Sequence, residues 1–221
     1  MYFLTFLNNG CVDICKNMLL SASKVGLDLD KFIIACLDET SYERMKDYSG
    51  AYLHSKNVTQ EYQNWSFDPS SGFRTIVKSK WSIIKSNYEK YKQLCWVDTD
   101  IVFVKNPLSY IENNEKILFQ CDLPGSLICS GFMVFNESKD CSDMILELGS
   151  NEIEDDQILV NNIATTKYKN SCALLPMPQF PNGHIYYSKG VKSDAVIVHN
   201  NHMVGIDEKI RRFKEENLWY V

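Results

Sequence analysis

Apolar positions in the first part of the chain follow a pattern typical of a β-α-β unit. The run YFLTFL at residues 2–7 predicts a strand, and a polar turn follows it. Apolar residues then recur three and four positions apart between Cys11 and Val25, which predicts a helix that ends at Gly26. A second apolar run, Phe32–Leu37, completes the unit. Such a unit implies parallel strands joined by a right-handed crossover.

The rest of the chain continues to alternate helices and strands. The strongest helical pattern runs from Val77 to Tyr91 and leads directly into the apolar strand Leu94–Val97. Residues 55–72 lack a clear period, and a long irregular stretch in a compact domain is often functional. Weaker patterns predict helices at Tyr42–Tyr48, Lys139–Leu148, Asp156–Ile163 and Asp207–Asn217, and strands at Ala51–Leu53, Lys116–Cys121, Leu127–Phe135, Ala173–Leu175 and Ala195–Val198. The order favours one α/β domain over residues 1–221.

Composition narrows the functional classes. The net charge of −5 and the absence of a basic patch argue against a nucleic-acid partner. No apolar run reaches the ~20 residues that a membrane helix needs. The start, MYFLTFLNNGC, has no basic region before its apolar run, which favours a strand over a signal peptide. We therefore expect a cytoplasmic protein, in the host cytoplasm if the source is viral. An anionic ligand would need a metal or a local group of cations.

The eight cysteines do not form a recognisable disulfide or zinc pattern. Several lie in strand-like runs, and no Cys-x-x-Cys pair is present. Buried, reduced thiols are the simplest interpretation.

An acidic pair follows the strand Leu94–Val97, in the stretch CWVDTDIVFVKNP. Ligands of open α/β sheets bind beyond the carboxyl ends of the strands. Asp98 and Asp100 lie at such an end, and strand alternation would point both in the same direction. Two carboxylates placed in this way suit a divalent cation such as magnesium or manganese, which prefers oxygen ligands.

Two chemistries use such a pair. In a phosphatase of the haloacid-dehalogenase kind, DTDIV would supply a nucleophile and an acid/base, but that motif normally ends the first strand of its domain. In glycosyl transfer, the pair holds a metal that neutralises a leaving diphosphate, and a nucleotide-binding half precedes it. Nearly a hundred residues precede the pair here, which favours the second chemistry.

Further motifs occur in the order SKWSII, LCWVDTDIVFVKNP, CSGFMVFN, EDDQILVNN, PQFPNG and VIVHNNHMVGIDEKIRRF. Together they resemble a GT-A glycosyltransferase of the nucleotide-diphospho-sugar transferase group, which includes plant and protist xylosyl-, arabinosyl- and galactosyltransferases. The resemblance implies a Rossmann-like, mostly parallel sheet flanked by helices. It also implies a nucleotide-binding half at about residues 1–100 and an acceptor and sugar half at about 101–221. The implied reaction is sugar transfer from a nucleotide-diphosphate sugar, in particular a UDP-sugar, to a hydroxyl of a glycan, protein or small molecule, with retention of configuration.

The resemblance also implies roles for individual residues. The metal, Mn²⁺ or Mg²⁺, would be held by Asp98, Asp100 and His199. The nucleotide-sugar would be bound by Thr5, Phe6, Asn8, Lys80, Asp98, Ser130, Gly131, Gly205 and Lys209. Asp156 and Gln157 would face the anomeric carbon as catalytic residues.

Several alternatives stay open from the sequence. His202 in HMVG competes with His199 as the third ligand, and Arg74 and Lys78 compete with Lys80 as cations. Asp122 and Asp156 are both available as a base if the reaction inverts configuration. The aromatic residues Tyr62, Trp65 and Phe67 make residues 55–72 a candidate lid or acceptor wall. A module that binds a nucleotide-sugar without turning it over is the third interpretation.

Overall fold

The computed structural model describes residues 1–54, 72–112, 114–123, 127–151 and 155–221, without the side chains of residues 72–75, 77 and 78. The candidate lid with Tyr62, Trp65 and Phe67 lies outside the described residues, as do the side chains of Arg74 and Lys78.

Strands and helices alternate along the described chain, and most are bounded by turn or capping residues. The strands are β1 (Tyr2–Leu7), β2 (Phe32–Cys36), β3 (Ala51–Leu53), β4 (Leu94–Val97), β5 (Ile101–Phe103), β6 (Ile117–Leu123), β7 (Leu127–Phe135), β8 (Cys172–Leu174) and β9 (Ile197–His199). The α-helices are α1 (Val12–Lys24), α2 (Glu39–Met45), α3 (Gly72–Tyr91), α4 (Leu108–Ile111), α5 (Lys139–Gly149), α6 (Asp156–Thr166) and α7 (Ile206–Glu215). A single π-helical turn occupies His184–Ser188.

A seven-stranded sheet in the order β3-β2-β1-β4-β7-β6-β8 forms the centre of the fold. The pairs β1–β2, β1–β4, β2–β3 and β6–β8 are parallel, whereas β7 is antiparallel to both of its neighbours. The predicted α/β architecture with a mostly parallel sheet and flanking helices is confirmed.

Helices cover both faces of this sheet, because its strands are apolar on both sides. On one face, α3, α5 and α6 pack against side chains such as Leu4, Trp96 and Met133. On the other, α1 packs against side chains such as Phe3 and Val97. Parallel sheets buried on both faces read as continuous apolar runs, which explains the short, uninterrupted strands of the sequence.

A small second sheet carries the last strand to the centre of the molecule. Strand β9 pairs antiparallel with β5, in a register that sets Ile101 opposite His199. The ladder continues one residue further, where Asn200 N donates to Asp100 O at 2.9 Å. The C-terminal part of the chain is thereby fixed beside the acidic pair.

Several predicted boundaries were wrong by a few residues, each for a local reason. Helix α2 begins three residues before the predicted Tyr42, because the Asp38 side chain caps it by accepting from Ser41 N at 2.8 Å. The predicted strand Ala195–Val198 is shifted, since Val196 N donates to Gln179 O of a loop at 2.7 Å and only residues 197–199 pair with β5. The strand predicted at Ala173–Leu175 begins at Cys172 instead. Helix α4 was not predicted, and it has only four residues.

Two further properties concern the cysteines and the helices. The eight cysteines are free thiols. Among the described residues, no helix has both the length and the apolar character that crossing a membrane demands.

Candidate active site

The acidic pair lies in a turn between β4 and β5 rather than in a strand. Asp98 N still continues the sheet by donating to Gly131 O at 2.8 Å, but Ile101 N turns back to Asp98 O at 3.2 Å. The predicted strand alternation is therefore wrong for these two side chains. The Trp96 indole fixes Asp98 by donating to its Oδ1 at 2.8 Å. Asp98 stays partly exposed, whereas Asp100 is buried.

His199 joins the two acids from the end of β9. Its Nε2 lies 3.4 Å from Asp100 Oδ1, and its ring is 2% exposed. Burial disfavours the charged imidazole, but the Cys129 sulfur and the Asp100 carboxylate outweigh burial and raise the pKa of His199 to about 10. A cation at Nε2 would compete with this proton, because ligating imidazole nitrogens are deprotonated.

Asp98, Asp100 and His199 can hold one metal ion between them. One ligand atom from each lies within 4.8 Å of the others. Among the described residues, this is the group of histidine, cysteine or acidic side chains that lies close enough together to hold one ion. Two carboxylates and one imidazole form a donor set that suits Mn²⁺, and Mg²⁺ with more water. The residues present fit the metal that the sequence predicted. The rival His202 lies apart from the group, with its Nε2 3.0 Å from Asp122 Oδ1.

A lysine from α7 neutralises the buried acid. Lys209 Nζ donates to Asp100 Oδ2 at 2.6 Å. Burial alone would raise the pKa of Asp100, but Lys209 and then His199 hold it well below its usual range. Asp100 is thus a permanent anion at neutral pH. An ammonium group so close to the metal-binding residues can also reach an anionic ligand of that metal.

A second lysine lies between the metal residues and α6. Lys80, on α3, is 3% exposed, and its Nζ contacts Asp156 Oδ2 at 2.7 Å and Ser130 O at 2.6 Å. Asp98 Oδ1 is 3.9 Å from the same ammonium group. Burial would raise the pKa of Asp156, but Lys80 overcomes this and lowers it. The structure therefore places Lys80 against the predicted catalytic residue rather than leaving it free.

The stability of the Lys80–Asp156 pair should depend on pH. The lowered pKa of Asp156 contributes stability that is present above the unfolded value of about 4 and is lost as the pH falls below it. We expect Asp156→Asn to be less stable than the native chain at pH 7 and to lose less stability between about pH 5 and pH 3. Urea unfolding at a series of pH values measures both effects.

Asp155→Asn is a matched control, because Asp155 caps α6 by accepting from Gln157 N and Ile158 N and asparagine caps equally well. Parallel pH profiles for Asp156→Asn and the native chain would contradict the interpretation.

Hydrogen bonds connect the beginning of α6 to polar groups on the wall of the cavity. Gln157 Nε2 donates to Asp122 Oδ2 at 3.2 Å, and its Oε1 accepts from Ser130 N at 3.4 Å. Asp122 also contacts His202, and both residues line the same cavity as Gln157. The amide of Gln157 is thus held by two partners, which fixes its position on the cavity wall.

Gly131 is required where the sheet meets the metal residues. A Cβ at this position would lie 2.2 Å from His199 Cε1 and 2.8 Å from Asp98 Oδ2. Ser130, beside it, is buried and lines the cavity. The sequence predicted that Gly131 lets the donor sugar approach the backbone closely. The structure gives a second reason for a glycine here, because it leaves room for two metal-binding side chains.

We expect Gly131→Ala to displace His199 or Asp98 and to weaken Mn²⁺ binding. Overpacking of this kind costs about 1–3 kcal/mol of unfolding free energy. Gly149→Ala is the matched control, because a Cβ there meets nothing within 4 Å at the end of α5. The control should be neutral or slightly stabilising. Calorimetric titration with Mn²⁺ and chemical denaturation give the two readouts, and native Mn²⁺ affinity in Gly131→Ala would contradict the prediction.

A cavity of about 870 Å³ unites these groups. Most residues that the sequence assigned to the nucleotide-sugar, the metal or catalysis line it, namely Phe6, Asn8, Lys80, Asp98, Asp100, Ser130, Gly131, Asp156, Gln157, His199, Gly205 and Lys209. Thr5 is the exception, since it is buried in β1 and does not reach the cavity. Gly205 has φ +97°, a conformation that favours glycine, and it precedes α7 and Lys209.

The sequence did not single out three residues that support the site. Trp96 orients Asp98, Gln120 Oε1 lies 2.7 Å from His199 Nδ1, and the Cys129 sulfur lies 3.6 Å from the same nitrogen. A glutamine in the apolar run ILFQC was the only available signal for Gln120. A buried amide implies a specific partner, but the sequence does not identify which one.

Comparisons with known proteins give the family and the fold of the chain. The sequence profile of the nucleotide-diphospho-sugar transferase family matches residues 27–213. The chain is 25% identical over 97% of its length to a UDP-galactose:fucoside alpha-3-galactosyltransferase of Dictyostelium discoideum, and it spans 42% of that protein. It is 24% identical over 99% of its length to a UDP-D-xylose:L-fucose alpha-1,3-D-xylosyltransferase of Arabidopsis thaliana, and it spans 67% of that protein.

A solved structure shares the fold. A glycosyltransferase involved in the glycosylation of the major capsid of PBCV-1 superposes with a TM-score of 0.57 at 14% identity. The match covers 97% of this chain and 100% of that one.

Proposed function

Because this chain belongs to the nucleotide-diphospho-sugar transferase family, we propose that it is a metal-dependent glycosyltransferase that moves a sugar from a UDP-sugar to an acceptor hydroxyl. The observation that carries the proposal is the group Asp98, Asp100 and His199 at the floor of one large cavity. A cation held there, Mn²⁺ or Mg²⁺, would supply positive charge to the leaving diphosphate.

The protein's own residues assist departure of the diphosphate. Lys209 lies against Asp100 at the metal group, so its ammonium can turn to a phosphate oxygen without leaving the site. Phe6 and Asn8, at the end of β1, lie on the cavity wall that we assign to the nucleotide.

Asp156 and Gln157 are assigned to the sugar side of the cavity. Asp156 is committed to an ion pair with Lys80 at 2.7 Å, which favours an electrostatic and positioning role over a covalent one. Gln157 presents an amide held by Asp122 and Ser130. A neutral amide beside the anomeric carbon would stabilise positive charge without capturing it. Both carboxylates that could act as the base of an inverting reaction are already paired, Asp156 with Lys80 and Asp122 with Gln157, and on this basis we propose retention of anomeric configuration. Nuclear magnetic resonance of the product tests it: an inverted anomeric centre would contradict retention.

The phosphatase alternative does not suit these groups. It needs the second acid of the pair to donate and accept a proton. Asp100 is buried between Lys209 and His199, and its lowered pKa keeps it ionised. The family match also favours glycosyl transfer.

We propose a fucoside as the acceptor. Both relatives compared above use fucose or a fucoside by name. The cavity mouth also carries exposed apolar side chains, Leu127, Ile158 and Val204, which would suit the methyl group of a 6-deoxy sugar.

Incubation with UDP-galactose or UDP-xylose, Mn²⁺ and either a fucoside or a galactoside tests both parts. Transfer to the fucoside supports the full proposal. Transfer to the galactoside alone contradicts the acceptor, and donor hydrolysis without transfer to either contradicts it as well. A folded chain that neither transfers nor hydrolyses any UDP-sugar would contradict the proposed enzymatic activity. The interpretation as a non-catalytic nucleotide-sugar-binding module would then remain.

A further inference from the structure

Gln120 is a buried polar residue in the middle of an apolar strand. It lies in β6, is 0% exposed, and is adjacent to an irregularity in the β6–β7 ladder between Phe119 and Gln120. A buried amide is costly unless its donors and acceptor are all paired. The partners of Gln120 therefore show what this residue does.

Main-chain carbonyls fix the orientation of the amide. Gln120 Nε2 donates to Phe180 O at 3.2 Å and to Pro181 O at 2.9 Å, which uses both of its hydrogens. The flipped amide would set its oxygen against two carbonyl oxygens. Oε1 must therefore point away from this loop.

The amide oxygen points at His199. Gln120 Oε1 lies 2.7 Å from His199 Nδ1, and since that oxygen can only accept, Nδ1 must donate. Nε2 lies on the other side of the ring, 3.4 Å from Asp100 Oδ1. The Cys129 sulfur lies 3.6 Å from Nδ1 and accepts a hydrogen bond from Asn201 Nδ2 at 3.5 Å, so it is compatible with a proton on Nδ1.

We propose that Gln120 is a positioning residue that keeps the proton of His199 on Nδ1 and directs the Nε2 lone pair to the metal beside Asp98 and Asp100. Hydrogen bonds of this kind orient a ligating imidazole and fix its tautomer. The inference rests on the metal site of the proposed function.

Metal affinity is the first readout. Gln120→Leu should raise the dissociation constant of Mn²⁺, measured by calorimetry in the presence of UDP, by roughly 10- to 100-fold. Gln120→Glu keeps an acceptor for Nδ1, and its second oxygen fits beside the carbonyls of Phe180 and Pro181 when it is protonated, so this variant should recover part of the affinity.

Asn17→Leu is the matched control. Asn17 is also 0% exposed and bonds main-chain partners through both ends of its amide, but it does not line the cavity. This control should leave the Mn²⁺ dissociation constant within about twofold of the native value. An equal loss in Gln120→Leu and Asn17→Leu, or no loss in Gln120→Leu, would overturn the proposal.

The second readout needs no metal. With ¹⁵N-labelled histidine, the native chain should show a hydrogen-bonded, slowly exchanging proton on His199 Nδ1, and Gln120→Glu should retain it. Absence of this proton in the native chain overturns the role of Gln120. If the proton is present but the native chain binds no Mn²⁺, the metal site of the proposed function fails and the hydrogen bond stands.

Discussion

Asp100→Asn should lower the rate of sugar transfer on the order of a thousandfold, the largest loss expected from any single change in this protein. A metal supplies several kcal/mol of charge stabilisation to a leaving group, and each 1.4 kcal/mol corresponds to a factor of ten in rate. Asparagine has the same shape as aspartate but no charge. It would leave Lys209 and His199 beside a neutral group and the metal with one carboxylate.

The loss should not be recovered by excess Mn²⁺, and donor hydrolysis without acceptor should fall with it. Asp143→Asn is the matched control, because Asp143 also pairs with a lysine, Lys139, at 2.6 Å, but at the surface of α5. Its activity should equal that of the native chain. Transfer by Asp100→Asn within tenfold of the native rate would contradict the metal role.

Lys80→Met should cause the largest loss of stability. Lys80 is 3% exposed, and its removal leaves Asp156 charged without its partner and Ser130 O without its hydrogen bond. Breaking a buried pair in this way costs about 3–5 kcal/mol of unfolding free energy, more than the pair itself contributes. Urea denaturation at pH 7 measures the difference.

Two further variants separate the buried charge from the lost packing. Lys80→Met combined with Asp156→Asn should recover part of the stability, because no unpaired charge remains. Lys167→Met removes an exposed lysine that lies 2.5 Å from Glu147, and it should lower the free energy of unfolding far less than Lys80→Met does. A Lys80→Met chain no less stable than Lys167→Met would show that the buried pair contributes nothing.

The fold was largely predictable because its signals are local. The apolar runs of β1, β4 and β7 were assigned at their observed bounds, and Gly26 ends α1 with φ +79° as expected. The errors occurred where a single side chain or a distant loop decides a boundary. The Asp38 cap starts α2 earlier than predicted. The hydrogen bond from Val196 N to Gln179 O makes the strand before His199 shorter than predicted.

The residues of the site were predictable as types but not as contacts. Asp98 and Asp100 follow a strand, so their proximity is a local property of the sequence. Their union with His199 depends on the pairing of β5 with β9, nearly a hundred residues later. Gln120 reaches His199 only because a loop sixty residues away turns its amide, a long-range constraint that no local pattern contains.

Thermal unfolding with UDP is the most direct test of a metal-dependent nucleotide-sugar site. At about a hundred times its dissociation constant, UDP should stabilise the chain by about 2.7 kcal/mol when Mn²⁺ is present. The same UDP should have little effect in EDTA, or on Asp100→Asn with Mn²⁺. Equal stabilisation by UDP with and without the metal, or none under either condition, would contradict the proposed site.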